Sequence, residues 1–335
     1  MKFHEHCKGE RMSNYICLAP NGDGWMNLAR DNYFLQNVGK DDIILYFYVN
    51  TNSVIIGRNQ NAWKECNLGA MESDGVRLVR RHTGGGAVYH DTGNLNFSFI
   101  MNEKNYDLNR QLNVITRAVS RLGLTAELSG RNDILIDGKK FSGNAFGLAK
   151  GNRSHHGTIL VDTDLSKLPN YLNVSQAKIR SKGIDSVRAR VCNLSDFAQG
   201  ITVEKVRKLV IESFIEEYGF VSEYAFSGEA LSEIEKGYEV QRSWEWRLGK
   251  SPEFDYVIDN RFSFGEMQIH LNLKDGYIKE AKVYSDALDV SLADTVTECL
   301  FGCRFEQEAM KKRLLSIADS EVGQEILEYI NKIYL

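Results

Sequence analysis

Apolar and polar positions along this chain follow two periods. Leu108, Leu112, Ile115, Val119 and Leu122 recur at spacings of four, three, four and three, the period of one helix face. Asp107 stands where a capping side chain is wanted, and Gly123 where a helix stops. Val203, Val206, Val210, Phe214 and Tyr218 repeat the pattern between Thr202 and Gly219. Residues 24–37 predict a third helix, with Trp25, Leu28, Ala29 and Leu35 roughly on one face and Gly39 beyond it. The other period is two. Residues 43–49 are strongly β-prone, Thr51-Asn52 supplies a turn, and 53–57 and 76–80 follow as strands. In 94–100, Leu95, Phe97 and Phe99 alternate with polar partners, which predicts a half-buried strand. Residues 132–136 form a strand that Asp137-Gly138 turns back through 139–146. Residues 155–161 form another.

Past about residue 245 the texture restarts. Residues 261–285 predict two or three antiparallel strands around Asp275-Gly276, and two helical patterns follow, Leu292/Val296/Leu300 and Met310/Leu314/Ile317. With the boundary in 240–252, the expected architecture is α+β. A domain of residues 1–245 holds a mixed β-sheet with flanking helices, and a small accessory α+β domain spans 246–335.

Composition narrows the function classes. The 335 residues carry 41 Lys+Arg against 45 Asp+Glu, a net charge of −4, without the basic excess of a general nucleic-acid binder. At 43% hydrophobic and 26% charged residues a folded globular protein is expected. No apolar run approaches a membrane span, and the polar N-terminus lacks a secretory signal. Six cysteines scattered from Cys7 to Cys303 do not form a disulfide framework, so a cytoplasmic protein is expected, without nucleic acid or membrane as partner.

Two segments carry candidate chemistry. In Arg80-Arg81-His82-Thr83-Gly84-Gly85-Gly86-Ala87-Val88-Tyr89-His90-Asp91, three glycines let backbone N–H groups approach an anion, and two arginines add charge and bidentate donors. The loop joins strands, and its spacing is neither the P-loop's nor the dinucleotide fingerprint's. A tight connection with incidental arginines is the competing reading. In Lys139-Lys140-Phe141-Ser142-Gly143-Asn144, alternation sends the two lysines to opposite faces. One of them can pair with a carboxylate and a phosphate; spacing alone does not choose which.

These stretches, with the 132–136 strand, His155-His156-Gly157, residues 170–197 and residues 243–254, closely resemble the lipoate–protein ligase A family. The resemblance implies the biotin/lipoate ligase fold and two half-reactions. Lipoate and ATP give lipoyl-adenylate and pyrophosphate. The lipoyl group then passes to a lysine of a lipoyl domain of a 2-oxoacid dehydrogenase complex, or of a glycine cleavage H-type protein. It implies nucleotide contacts from Arg81, Gly84, Gly85, Gly86, Ala87, Val88 and Tyr89. Lys140 becomes the catalytic lysine, binding both ATP and lipoate. Ser142, Gly143 and His156 are expected near the substrate, Asp133 near Mg2+, and Val79, Val88 and Phe146 around the lipoyl tail.

Alternatives remain at this level. An ATP-independent octanoyl or lipoyl transferase on the same fold uses a cysteine in some branches, and Cys192 is the nearby candidate. A non-catalytic paralogue that binds lipoylated domains is another. His4, Glu5, His6 and Cys7 could clamp a metal, Met12 could be the natural start, and Cys299 with Cys303 reads as buried packing.

Overall fold

The computed structural model describes residues 13–129, 133–173, 191–250, 253–285 and 291–333. The His4–Cys7 clamp, Met12 and most of the 170–197 motif lie outside them. The chain divides into two compact units: residues up to Arg58 with Val76–Arg242, and Asn59–Gly75 with Ser243 onward. The sequence reading leaves 59–75 with the first unit.

The first unit is an eight-stranded mixed sheet in the order β11-β1-β2-β6-β10-β9-β8-β7. Its strands are β1 (Ser13–Leu18), β2 (Asp42–Tyr48), β6 (Asn94–Asn102), β7 (Glu127–Ser129), β8 (Asp133–Ile136), β9 (Lys139–Ala149), β10 (Asn152–Leu160) and β11 (Val221–Glu223). β1 pairs in parallel with β2 and β11, and the other pairs are antiparallel. A second sheet sets β3 (Ser53–Ile56) between β4 (Arg77–Arg80) and β5 (Val88–His90). Helix α1 (Gly24–Asn37) starts at Asp23, whose side chain accepts from the N–H groups of Trp25 and Met26. Asp107 caps α2 (Leu108–Ser120) and Thr202 caps α3 (Val203–Tyr218), as their sequence predicts.

Strand parity sorts the two faces of the large sheet. Odd-numbered residues of β2, β6 and β10 — Ile43, Leu45 and Phe47, then Leu95, Phe97 and Phe99, then Ile159 — pack beneath α2 and α3 as the main apolar core. Even-numbered residues face the other way. There Ile44, Tyr46, Tyr48 and Ile100 meet Phe34 and Leu35 of α1. The expected half-exposure of β6 does not hold: Asn94, Asn96 and Ser98 are buried as fully as their apolar neighbours. The strand lies mid-sheet with both faces covered, so its polar residues mark a buried polar face.

The second unit is an antiparallel meander of β12 (Phe254–Phe262), β13 (Gly265–Lys274) and β14 (Tyr277–Ser285), with the predicted turn at Asp275-Gly276. Helices α5 (Ser291–Leu300), α6 (Gln307–Leu314) and α7 (Glu321–Ile330) share its core, with Leu292, Val296, Leu300, Met310 and Leu314 buried. α4 (Gly228–Arg242) belongs to the first unit. Trp63, from a short helical turn at 62–65, stacks on Phe254 at 5.5 Å between centroids. Among the described residues no helix is long and apolar enough to cross a membrane.

Candidate active site

A cavity of about 300 Å³ opens on the even-numbered face of the large sheet. Tyr48 of β2, Asn94 and Asn96 of β6, and His156, Thr158 and Leu160 of β10 reach it because they share one parity. Leu28 and Ile55 close it from α1 and β3, while Gly85–His90 and Lys140 bring in the two sequence motifs.

The glycine loop is held by Arg81. Its Nε and Nη2 donate to Gly84 O at 3.0 and 2.7 Å, Nη2 also to Gly86 O at 2.8 Å, and Nη1 to Ile55 O at 3.3 Å. The guanidinium thus satisfies loop carbonyls with the donors it would turn toward a phosphate. Among the described residues no carboxylate stands within ion-pair distance of it. Burial pushes its pKa down to about 10, with Tyr48 opposing, so the positive charge remains at neutral pH. Gly85 has φ +98°, and a Cβ there would stand 2.7 Å from Arg81 Nη2. Both facts demand glycine. Gly84 is engaged through its carbonyl and does not line the cavity.

Lys140 reaches the cavity through an irregularity that alternation cannot foresee. β8 and β9 pair Leu135 with Lys140 but Ile134 with Ser142, so Phe141 is an extra residue. This bulge reverses the parity of β9. Phe141 turns into the apolar core, and Lys140 shares a face with Gly143. A Cβ on Gly143 would lie 2.8 Å from both Cε and Nζ of Lys140, so the side chain crosses where Gly143 leaves room. Nζ then pairs with Asp133 Oδ1 at 2.6 Å, both side chains half-exposed. Lys139 is exposed.

His156 lines the cavity as expected. Its Nε2 is 2.7 Å from Thr83 Oγ1, and its Nδ1 is 3.7 Å from Asp31 Oδ2. Burial, with Arg81 nearby, lowers the imidazole pKa to about 3. Burial raises Asp31 to about 6 against a hydrogen bond from Ser98. Tyr89 also lines the cavity, its hydroxyl bonded to Asn52 Oδ1 at 3.0 Å.

Other expected residues sit elsewhere. Ser142 is buried beside the cavity and is not part of its wall. Of the three residues suggested around the tail, Val88 lines the cavity. Val79 lies behind Leu28 and Ile55, and Phe146 is 41% exposed, its ring 5.3 Å from that of His155. Tyr48, Asn94, Asn96, Thr158 and Leu160 were missed. Parity, continued from His156 and applied to buried strands, would have found them. Cys192 is 2% exposed in the apolar core, its thiol 3.5 Å from Lys139 O, and burial pushes it up to about 11.

Comparison with known proteins adds independent findings. Residues 23–215 match the family described as lipoyl protein ligase A/B catalytic domain, and residues 251–332 match the bacterial lipoate protein ligase C-terminus. A lipoate-protein ligase A of Psychrobacter cryohalolentis is 39% identical over 313 residues, 90% of this chain and 92% of that protein. Two solved structures are similar. One is a bi-partite lipoate protein ligase and its E2 lipoyl domain from Thermoplasma acidophilum, with TM-score 0.64, 33% identity, and 72% of this chain and 98% of that one covered. The other is a lipoate-protein ligase A bound with ATP, with TM-score 0.63, 31% identity, and 72% and 99% covered.

Proposed function

The chain belongs to the lipoyl protein ligase A/B family, and on that premise we propose that it activates lipoate with ATP and passes the lipoyl group to a lysine of an acceptor protein. One observation carries the reading: Arg81's glycine loop and the Lys140 amine, far apart in sequence, line the same cavity.

In the first half-reaction a lipoate carboxylate oxygen attacks the α-phosphorus of ATP. The bond to the bridging oxygen breaks and pyrophosphate leaves, giving lipoyl-AMP. Two anions must meet, so fixed positive charge lowers the barrier. Arg81 supplies it from beneath the loop, where the carbonyls of Gly84 and Gly86 hold it in place. Lys140 supplies a mobile charge. Its partner Asp133 is a half-exposed side chain, so a substrate carboxylate can compete for the ammonium. The apolar wall of Leu28, Ile55, Val88 and Leu160 suits an acyl tail.

In the second half-reaction the acceptor amine attacks the carbonyl carbon. The bond from carbon to phosphate oxygen breaks, AMP leaves with the electron pair, and the amine's surplus proton goes to solvent. Lys140, released from Asp133, would serve carbonyl and leaving phosphate alike. The Thermoplasma structure of a ligase and its E2 lipoyl domain supports a lipoyl domain as acceptor, and an H-type protein offers a lysine of the same kind. ATP as substrate suits a cytoplasmic enzyme.

Magnesium is expected with the triphosphate. Among the described residues no group of three acidic, histidine or cysteine side chains could hold a resident ion. Asp133 alone fits a cation that arrives mostly liganded by phosphate and water. Such an ion would neutralise the leaving pyrophosphate. The transferase route through Cys192 is disfavoured, because its thiol lies in the core with a raised pKa and is a poor nucleophile there.

The test is lipoate-dependent exchange of pyrophosphate into ATP. The native protein should catalyse it, and Lys140→Ala should lose it by on the order of 10²–10³-fold or more with folding intact. No exchange, together with ATP-free acyl transfer from a carrier protein, would overturn the proposal.

A further inference from the structure

His90 ends β5 on the cavity wall and is 3% exposed. Its Nδ1 lies 3.1 Å from Asn50 Nδ2. A chain of hydrogen bonds pinned to a backbone carbonyl decides which of these groups donates. Asn27 Nδ2 donates to Asn21 O at 3.1 Å, and a carbonyl oxygen can only accept. The same Asn27 nitrogen stands 3.0 Å from the Asn50 side chain, so the Asn50 atom there is the oxygen. Asn27 Oδ1 accepts from Tyr46 Oη at 3.4 Å, which agrees. Asn50 therefore offers its amide nitrogen to His90, and Nδ1 must hold a lone pair. The ring is neutral at physiological pH, since burial, with Arg81 and His156 nearby, lowers its pKa to about 3. Its one proton resides on Nε2. That atom is buried and has no hydrogen-bond partner among the described residues. Nor does either side-chain polar atom of Asn94, which is wholly buried and lines the same cavity. Buried donors are ordinarily matched; both residues line the cavity, so these two unmatched donors, which expose almost no surface, point to the cavity's occupant.

We infer that His90 Nε2–H, seconded by the Asn94 amide, donates to the acyl oxygen of the bound substrate. That atom is a carboxylate oxygen before activation and the carbonyl oxygen of the mixed anhydride after it. The inference rests on the ligase reading above. An uncharged donor suits this place. When the amine adds to the carbonyl carbon, the π electrons move onto that oxygen. When the carbon–phosphate-oxygen bond breaks, they return. A preorganised N–H stabilises the transient oxyanion, and the Asn27–Asn50 relay keeps the proton on the ring nitrogen that needs it. A further cation beside Arg81 would have to be buried against like charge.

The test uses the full-length native enzyme, His90→Leu and His90→Gln. Glutamine can take the Asn50 bond on its oxygen and present its amide nitrogen near the place of Nε2. Long-range proton–nitrogen NMR of the native protein should show His90 as the neutral Nε2–H tautomer. Single-turnover transfer from synthetic lipoyl-adenylate to a lipoyl domain should slow on the order of 10²-fold in His90→Leu. His90→Gln should recover at least tenfold of that, with the KM for ATP within threefold throughout. An Nδ1–H tautomer or an imidazolium would overturn the inference even if a variant failed to fold. A folded His90→Leu that transfers at the native rate would overturn it while leaving the ligase reading intact. A native enzyme without lipoate-dependent pyrophosphate exchange would overturn both.

Discussion

Adding one methyl group at Gly143 should cripple the enzyme and leave the fold alone. Gly143 faces Asp133 across β8 and β9, and its N–H is bonded by Thr158 Oγ1 at 3.2 Å. In Gly143→Ala the new Cβ would meet Lys140 Cε and Nζ at 2.8 Å, against ordinary contacts of about 3.5–4.0 Å. The amine must retreat by about 1 Å, and what retreats is the free end of a flexible side chain. Gly143 is not among the glycines with positive φ, so alanine brings no backbone strain. Replacing glycine at such a site stabilises by about 0.4–1 kcal/mol through the unfolded chain. A 1 Å misplacement of a reacting group costs on the order of 10²-fold in rate. The expected result is a 10²-fold slower lipoate-dependent pyrophosphate exchange, on the order this misplacement implies, with an unchanged or raised melting temperature. Both are measured on one preparation, by isotope exchange and calorimetry. Exchange at the native rate would refute the claim that the amine must cross residue 143 to work. A clearly lowered melting temperature would refute the claim that only a side-chain end yields.

Two further outcomes follow from burial. Cys192→Ser should keep pyrophosphate exchange and acyl transfer within about twofold while lowering stability by about 1–2 kcal/mol, because a hydroxyl replaces a thiol in an apolar core. Loss of transfer in a stable Cys192→Ser protein would reinstate a thiol nucleophile. Burial also lowers His82 to about 4 and His90, His155 and His156 to about 3. Their unfolded values lie near 6.5, so between those limits the unfolded chain binds the extra protons. Stability is therefore complete above about pH 6.5 and falls as pH drops. Asp31, raised to about 6, works in the opposite sense, holding in the folded state a proton that the unfolded chain lacks. At pH 5 the balance of these groups is an uptake of about three protons on unfolding, or about 4 kcal/mol per pH unit. Calorimetry in buffers of differing ionisation enthalpy measures it. His155→Gln, which removes a core histidine, should reduce it by about one, and an unchanged uptake would contradict the neutral buried ring.

The helices and most strands could be read from the chain because their burial is one-sided. α2 and α3 have the predicted caps, although the buried stripe of α2 runs through Gln111, Val114, Ile115, Ala118 and Val119, turned from the leucine ridge that marked it. α4 escaped notice for a physical reason: it buries Ala230 and Ile234 while Leu231 and Val240 stay half-exposed, so no clean period appears. α7 does carry a signal, in the Ser320 cap and the Ile326/Ile330 pair. At the site, chemistry marked the two arginines and the three glycines, and the family resemblance chose Arg81 and the loop from Gly85 to Tyr89, which line one cavity. The choice between Lys139 and Lys140 could not be made from alternation, because a bulge at Phe141 decides it and bulges arise from pairing between strands. In the alternation of β6, Asn94 and Asn96 look like solvent-facing polar residues. Whether a polar residue in an alternating strand meets water or a buried site depends on what covers that face, here α1 and the smaller sheet, which the strand's own sequence does not encode.

That ambiguity follows from how the large sheet divides its work. One face is mostly apolar, with His155 and Gln111 paired within it, and anchors α2 and α3. On the other, polar side chains must be buried close to where anions react, and burying charge is expensive unless it is paired. Among the described residues that line the cavity, Arg81 is the cation held deep, and four bonds to backbone carbonyls fix it. Lys140 sits at the half-exposed edge, paired with Asp133. The deeper polar groups, His90, His156, Asn94 and Asn96, are uncharged. The cavity is thus graded from mobile charge at its edge to fixed neutral donors within, a division that brings two anions together with little buried charge left unpaired. It also separates the consequences of substitution. Changes at Lys140 should act chiefly on activity, whereas changes at Arg81 should act on activity and folding together, since the same guanidinium holds the loop that shapes the cavity.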